Sequence, residues 1–415
     1  MQHEEALMEL LYARCCGLDV HKKTVVACLL TPGLGGKPLR EVRTYGTTTR
    51  ELLALVDWLA ANGCTHVAME STGSYWKPVH NLLESSFELL VVNAHHLKAV
   101  PGRKTDVRDS EWIADLLQHG LIRPSFIPSR PERELRELTR YRTTLVRERA
   151  SEVNRIQKVL EGANIKLASV ASNVVGVSGR AMLSAMVAGV VDAEVMAEMA
   201  RGKLRNKIGT LKEALHGRLG SHQRFLLGAQ LRHVDELGQL IDEVSAEVEE
   251  RLRPSQEDLT RLTTIPGVGR RTAEILLSEL GADIARFPSA RHLASWAGIC
   301  PGNHQSAGRS GTGRTRKGSP WLRSALVEAA RAAGRGRTYL GAQYHRIAAR
   351  RGANRAAVAV AHSILVIVYH MLSDRRDYHD LGGNYFDERH REQVSRRLTR
   401  RLEALGYSVS LSPAA

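Results

Sequence analysis

Aromatic residues are scarce in this 415-residue chain, at 5% Phe, Trp and Tyr. That argues against a stacking platform for single strands as the main binding mode, because such platforms lay successive bases on aromatic rings. Cysteine is scarce too: Cys15, Cys16, Cys28, Cys64 and Cys300 form an odd set with no CxxC pair. Neither a disulfide framework nor a structural zinc site follows from that spacing, and the thiols are expected to be reduced, as in the cytosol. No apolar run is expected to reach the roughly 20 residues that span a bilayer. The polar, acidic start MQHEE lacks the features of a signal peptide. The expected location is therefore the cytoplasm or the nucleoid, with no membrane partner. A GxxxxGK[ST] phosphate loop is also missing, so the sequence does not call for ATP.

What the chain has in excess is positive charge. Lys and Arg number 59 against 44 Asp and Glu, a formal net charge of +15. Such a balance favours a polyanionic partner, nucleic acid first, with a merely basic enzyme as the plainer alternative. The length suffices for two or three domains of roughly 100–200 residues each.

The pattern from Arg14 to Gly120 alternates strand and helix. "CCGLDVHKKTVVACLL" reads as two strands joined by a polar turn at His21 to Lys23, and "REVRTYGTT" as a third. A helix capped by Thr follows in "TTTRELLALVDWLAANG", then the strand "THVAMES", the helix "YWKPVHNLLESS", the strand "ELLVVN" and the helix "TDVRDSEWIADLLQHG". Three strands followed by alternating helix and strand predict an α/β domain, a mixed sheet flanked by helices. Two charged amphipathic helices, Pro131 to about Gly162 and His222 to Leu252, read as arms of a helical coiled coil; the Ala- and Met-rich insertion of about 165–220 between them carries no evident chemistry. From Leu259 a mostly α domain begins. The resulting division is 14–125, 130–257, 258–375 and a polar tail, 376–415, expected to be partly disordered.

Four carboxylates occupy positions suited to metal-dependent phosphodiester chemistry. Asp19 lies in the first strand and Glu70 at the end of the strand "HVAME", while Asp106 and Asp109 stand three apart at a helix start and share a face. Magnesium needs only a few carboxylates, completed by phosphate and water. Each residue has a plainer reading: Asp109 as a helix N-terminal charge, for example. Asp19 and Glu70 resist it more, since an acid within an apolar strand is costly without a partner. Glu111 and Asp115, on the same helix as Asp109, are rivals.

Two further stretches carry polar chemistry. "IPGVGRRTA" resembles a helix-hairpin-helix: Gly267 and Gly269 permit a tight turn, and the helix opening on Arg270 and Arg271 points its amides at a DNA phosphate. An ordinary capped helix–helix turn is the alternative. The loop "CPGNHQSAGRSGTGRTRKGS" contains no Asp or Glu. It reads either as a solvated linker or as a phosphate cradle, with Arg309, Arg314, Arg316 and Lys317 along the phosphate path and Ser306 as nucleophile.

"GLDVHKKTVVACLL", "VAMESTGSYWKPV", "VVNAHHLKAVPGRKTDVRDSEWIADLLQHGL", "LTTIPGVGRRTAEILLSELG" and "LASWAGICPGNHQSAGRSGTGRTRKGSPWLRSALVEAA" together resemble the transposases of the insertion-sequence one-ten family, which are related to Piv-type DNA invertases. The resemblance implies a RuvC-like, RNase H-type catalytic domain whose Asp-Glu-Asp-Asp set (Asp19, Glu70, Asp106, Asp109) binds Mg2+. It implies a C-terminal transposase domain whose serine in "SAG", here Ser306, attacks DNA and becomes covalently linked to it. Ser310 is the second candidate. It further implies double-stranded donor and target DNA, a structured noncoding guide RNA, and a homo-oligomer, dimer or tetramer, in which the acids of one subunit meet the serine of another. Two other readings remain: a RuvC-like nuclease or junction resolvase using water, and a non-catalytic nucleic-acid-binding protein whose acids are structural.

Overall fold

A computed structural model describes residues 10–33, 37–71, 73–99, 109–281, 283–300, 305–306, 309–310, 315 and 318–412. The chain divides into two compact units, Met1–Pro128 and Ser129–Ala415.

The first unit is built on β1 (Cys15–Val20), β2 (Thr24–Thr31), β3 (Leu39–Gly46), β4 (His66–Glu70) and β5 (Glu88–Val92), in the order β3-β2-β1-β4-β5. The first three strands form an antiparallel meander, and β4 and β5 join parallel to β1. Helices α1 (Thr49–Ala61) and α2 (Trp76–Leu83) provide the crossovers, and α3 (Ala94–Ala99) and α4 (Asp109–Gln118) follow β5. Strand alternation sends Cys16, Leu18 and Val20 of β1 to one face, under Leu52, Leu55 and Leu59 of α1. Cys15 goes to the other face, under Ile113, Ala114 and Leu117 of α4. The expected mixed sheet flanked by helices is thus present. The expected Thr cap is not: Thr48 stands at the N-cap of α1 without a side-chain hydrogen bond.

The second unit is helical. α5 (Arg130–Gly162) runs out, and α6 (Leu167–Val170), α7 (Val177–Val187), α8 (Ala193–Glu198) and α9 (Ile208–Leu215) pack at its far end. α10 (Ser221–Arg251) returns. Leu135 shares a cluster with Val248, Leu145 with Leu237 and Ile241, and Ile156 and Leu160 with Leu227 and Leu231, so the two long helices are antiparallel. The segment without evident chemistry has a core of its own, including Leu167, Met182, Leu183, Met196 and Leu211.

α11 (Gln256–Thr263), α12 (Arg270–Leu280), α13 (Ala290–Trp296), α14 (Pro320–Ala333), α15 (Tyr339–Arg351) and α16 (Ala353–Asp374) gather around the base of the arms. Arginines of α5 fasten α12 there. Arg136 donates to the carbonyls of Ser278 (2.8 Å) and Glu279 (2.5 Å), and Arg140 pairs bidentately with Glu279 at 2.7 and 2.9 Å. Arg142 and Glu274 form a buried ion pair at 2.6 Å, with side chains 4% and 5% exposed.

Two expectations are corrected. α16 is one apolar helix, among the described residues, long enough by length and composition to cross a membrane. Its Val360, Ile364, Leu365 and Val368 pack in the unit's core, which is why its sequence is so apolar. The tail expected to be partly disordered carries α17 (Tyr385–Arg389) and α18 (Arg391–Ala404). Polarity misled there: α18 is helical with no buried residue, its charges spaced for pairs such as Arg396–Glu392 at 3.0 Å.

Burial also governs the thiols. It raises the pKa values of Cys15, Cys28 and Cys64 to about 12 and that of Cys16 well above the ordinary value. A raised pKa depletes the thiolate, the reactive form, at every pH below it. Alkylation of the native protein at pH 8 should modify Cys300 quickly and the other four only after unfolding; rapid labelling of a second thiol, read by peptide mass, would contradict this packing. Glu274→Leu should cost about 3–5 kcal/mol in chemical denaturation, since it leaves Arg142 buried and unpaired, whereas adding Arg142→Leu should recover much of the loss.

Candidate active site

Parallel pairing of β1 with β4 sets Leu18 opposite Met69. The next step along each strand is Asp19 and Glu70, so these acids stand level on neighbouring strands about 4.8 Å apart. Alternation puts both on the face covered by α4, because Cys15 and Ala68, an even number of residues earlier, lie in that face's core. Both sit at the carboxyl ends of parallel strands, where open α/β sheets bind their ligands. Neither is fully buried: Asp19 is 25% exposed and lies 3.1 Å from His21 Nε2, and Glu70 is half-buried. Each is at or beside the end of its strand, where the layers no longer cover it, so neither meets the full cost expected of an acid within an apolar strand.

The direction of α4 brings a third acid toward that edge. The carbonyl of Gln118 accepts from the amides of Leu11 (2.9 Å) and Tyr12 (3.2 Å), just before β1 begins. Farther along, Gly17 meets Ser110 and Ala114. A Cβ on Gly17 would fall 2.3 Å from the Ser110 carbonyl oxygen and 2.4 Å from the Ala114 nitrogen. α4 therefore runs antiparallel to β1, with its amino end toward the end of β1 that carries Asp19. Asp109 is its first residue and is exposed. Asp106 lies outside the described residues. Gly17 was not singled out in the sequence; an isolated glycine within an apolar strand is the signal that points to such a close approach.

The rival acids have another task. Arg40 of β3 donates to Glu111 at 2.8 Å and to Asp115 at 2.7 Å, clamping the edge of the sheet to α4. Among the described residues, no three Asp, Glu, His or Cys side chains converge tightly enough to hold a metal ion. The donor chemistry of Asp19, Glu70 and Asp109 nevertheless suits a hard divalent cation, since all three offer carboxylate oxygen and none offers sulfur.

In the second unit, Gly267 has φ +87°, and a Cβ there would lie 2.2 Å from the carbonyl oxygen of Ala329 on α14. Gly269 caps α12 with open space around it. Arg270 is held by Glu249 at 2.8 Å and by Glu274 at 3.1 Å, while Arg271 is exposed. Gly267 thus has a packing role whatever it binds, and Arg270 has two carboxylate partners.

The basic loop is anchored at its exit. A Cβ on Gly318 would lie 2.2 Å from the carbonyl oxygen of Ala297. Ser319 caps α14 by accepting from the Leu322 amide at 3.3 Å, and donates to Glu279 at 3.1 Å. Glu279 also holds Arg140, so one buried carboxylate joins the loop's exit to α5. Within the loop, β6 (Gln305–Ser306) and β7 (Arg309–Ser310) pair antiparallel, with Ser306 opposite Arg309 in backbone register. Arg314, Arg316 and Lys317 lie outside the described residues.

Residues 16–165 match the DEDD transposase domain of the IS110 family, and residues 259–346 match the domain described as transposase of the IS116/IS110/IS902 family. A probable family 20 transposase of Pseudomonas aeruginosa is 25% identical over 321 residues, 75% of this chain and 85% of its own. The transposase of insertion sequence element IS1111A from Coxiella burnetii is 32% identical over 145 residues, 33% of this chain and 40% of its own. A pilin gene-inverting protein of Moraxella bovis is 53% identical over 45 residues, 11% of this chain and 14% of its own.

The Gly17 contact carries a direct expectation. Gly17→Ala should push α4 off the sheet, cost about 1–3 kcal/mol through overpacking, and reduce strand cleavage by more than the stability loss explains. Wild-type stability in denaturant together with wild-type cleavage would show that α4 tolerates displacement.

Proposed function

The chain belongs to the IS110 family of insertion-sequence transposases, and from that premise we propose that it cuts and rejoins DNA through a covalent phosphoserine intermediate formed by Ser306. The observation that best supports a phosphodiester reaction is the level placement of Asp19 and Glu70 at the carboxyl ends of parallel strands, beside the amino end of α4 and Asp109. Asp106 completes the proposed set.

Magnesium bound by these acids would supply charge for a phosphoryl oxygen and orientation for the attacking and leaving oxygens. The chain's own contribution is positional. His21 steadies Asp19, Arg40 removes Glu111 and Asp115 from competition, and Gly17 fixes the height of α4. Ser306 Oγ forms a bond to phosphorus as the strand's bridging oxygen leaves, taking a proton; rejoining reverses the exchange with a different strand oxygen. One phosphoester replaces another, so bond energy is conserved and ATP is not needed. Arg309, Arg314, Arg316 and Lys317 neutralise the phosphate charge in this reading.

The finer assignments are part of the same proposal. Residues 14–125 form the RuvC-like catalytic domain, 130–257 the coiled-coil arms, and 258–375 the serine-bearing domain. Gly267, Gly269 and Arg271 give a sequence-independent phosphate contact as a helix-hairpin-helix, with Arg270 contributing less because Glu249 and Glu274 already hold it. Partners are double-stranded donor and target DNA, a structured noncoding RNA that guides pairing, and further copies of the chain; the setting is the cytoplasm and nucleoid.

The test is a denaturing gel for protein bound covalently to DNA after expression with the native flanks. An adduct in wild type that disappears in both Ser306→Ala and Asp106→Ala is expected. Cleaved DNA without an adduct, persisting in Ser306→Ala, would replace the serine mechanism by a water-using nuclease.

A further inference from the structure

The C-terminal helices line an open cavity of about 690 Å³ that none of the assignments above uses. Its size falls within the roughly 300–1,000 Å³ of sites that enclose small molecules. One wall is a stripe of α16: Arg355, Val358, Ala359, His362 and Ser363 lie at helical spacing on one face, opposite the buried stripe of Val360, Ile364 and Leu365. Arg323 of α14 and Gln343 of α15 face it. The described lining contains no carboxylate.

Three independent features point to an anionic ligand with a polar, partly apolar body. First, α16 begins at this cavity: Asn354 and Arg355 of its first turn line the wall, and its N-cap is Gly352, which supplies no side-chain cap. The orphan amides of a first turn attract anions, as does the helix dipole. Second, two guanidinium groups, Arg323 and Arg355, line the same space, and Arg331 reaches Asn354 Oδ1 at 3.2 Å, adding positive charge beside it. Third, Gln343 donates to Ser363 Oγ at 3.0 Å, while its Oε1 is buried and has no hydrogen-bond partner among the described residues. Whichever way that amide is turned, one polar atom lacks a partner among the described residues, and a ligand atom could supply it. Ile299, Val358 and Ala359 supply apolar surface for a sugar or base. His362, half-buried, has its pKa lowered by burial, so at neutral pH it presents an uncharged ring.

We propose that this cavity binds one nucleotide of a DNA strand, its phosphate held by Arg323, Arg355 and the first turn of α16, its sugar and base against Val358, Ala359 and His362. DNA is favoured over other phosphate carriers by the cavity's neighbours in sequence. Ile299 and Thr315, which flank Ser306 in the sequence, both line it. The choice of DNA rests on the transposase reading; the anion site itself does not.

The test measures full-length protein binding to a fluorescein-labelled single-stranded oligo-dT by anisotropy across a salt series. Arg355→Gln, at an exposed position, and Arg323→Gln should each weaken binding severalfold and reduce the slope of log affinity against log salt by about 0.7. Unchanged affinity and slope in both, with wild-type melting temperatures, overturns the site. Loss of binding only to an RNA of the same length overturns DNA as the occupant, and inorganic phosphate competing as well as the oligonucleotide overturns the role given to sugar and base. Adduct formation by the same variants separates this inference from the reading it rests on. Weakened binding in the variants with no wild-type adduct retains the site and removes the serine mechanism; a wild-type adduct with unaltered binding in the variants does the reverse.

Discussion

One contact without a side chain fixes the acidic edge of the first unit. At Gly17 the backbone of β1 meets the backbone of α4 with no room for a Cβ, so the helix sits lower on the sheet than any other residue would permit. The carbonyl of Gln118 fixes the helix's other end beside Leu11 and Tyr12. Between them, these contacts decide that α4 points its amino end, and Asp109, toward the strand ends that carry Asp19 and Glu70. Arg40 then holds the helix laterally and consumes the two acids that would otherwise compete for a cation.

The second unit relies on charge where the first relies on close packing. Arg136 and Arg140, one turn apart on α5, meet Ser278 and Glu279 near the carboxyl end of α12, and Arg142 meets Glu274 in a pair that is buried almost completely. Such pairs add little net stability over apolar packing, yet they penalise every register that leaves one charge alone. Glu279 extends the arrangement through Ser319 to the exit of the basic loop. The loop's own sequence, free of Asp and Glu, therefore emerges from an anchor in which negative charge is already paired.

Much of the architecture was legible because it is written in local periods. Strand-like runs marked β1 to β5, amphipathic patterning marked the long helices α5 and α10, and Gly267, expected in a tight turn, has positive φ. The same local logic failed where a pattern had two causes. α16 is apolar because it fills a core, yet by composition it matches a membrane helix. α18 is as polar as a disordered tail, yet its charges are spaced to pair along a helix. The carboxylate partners of Arg270, Glu249 and Glu274, could not be read locally either, since they are close only after folding.

By itself the sequence determined which residues could form strands and helices, which carboxylates fell at their ends, and that the loop around Ser306 would be basic. Tertiary structure alone decided that Asp19 and Glu70 stand level, that Glu111 and Asp115 belong to Arg40, and that Arg323 and Arg355 share a cavity with an uncapped helix end. The division has a physical reason. Hydrophobic period is a property of neighbouring residues, whereas strand register, helix height and charge pairing are fixed by contacts between residues far apart in the chain, such as Arg40 with Asp115, 75 positions away.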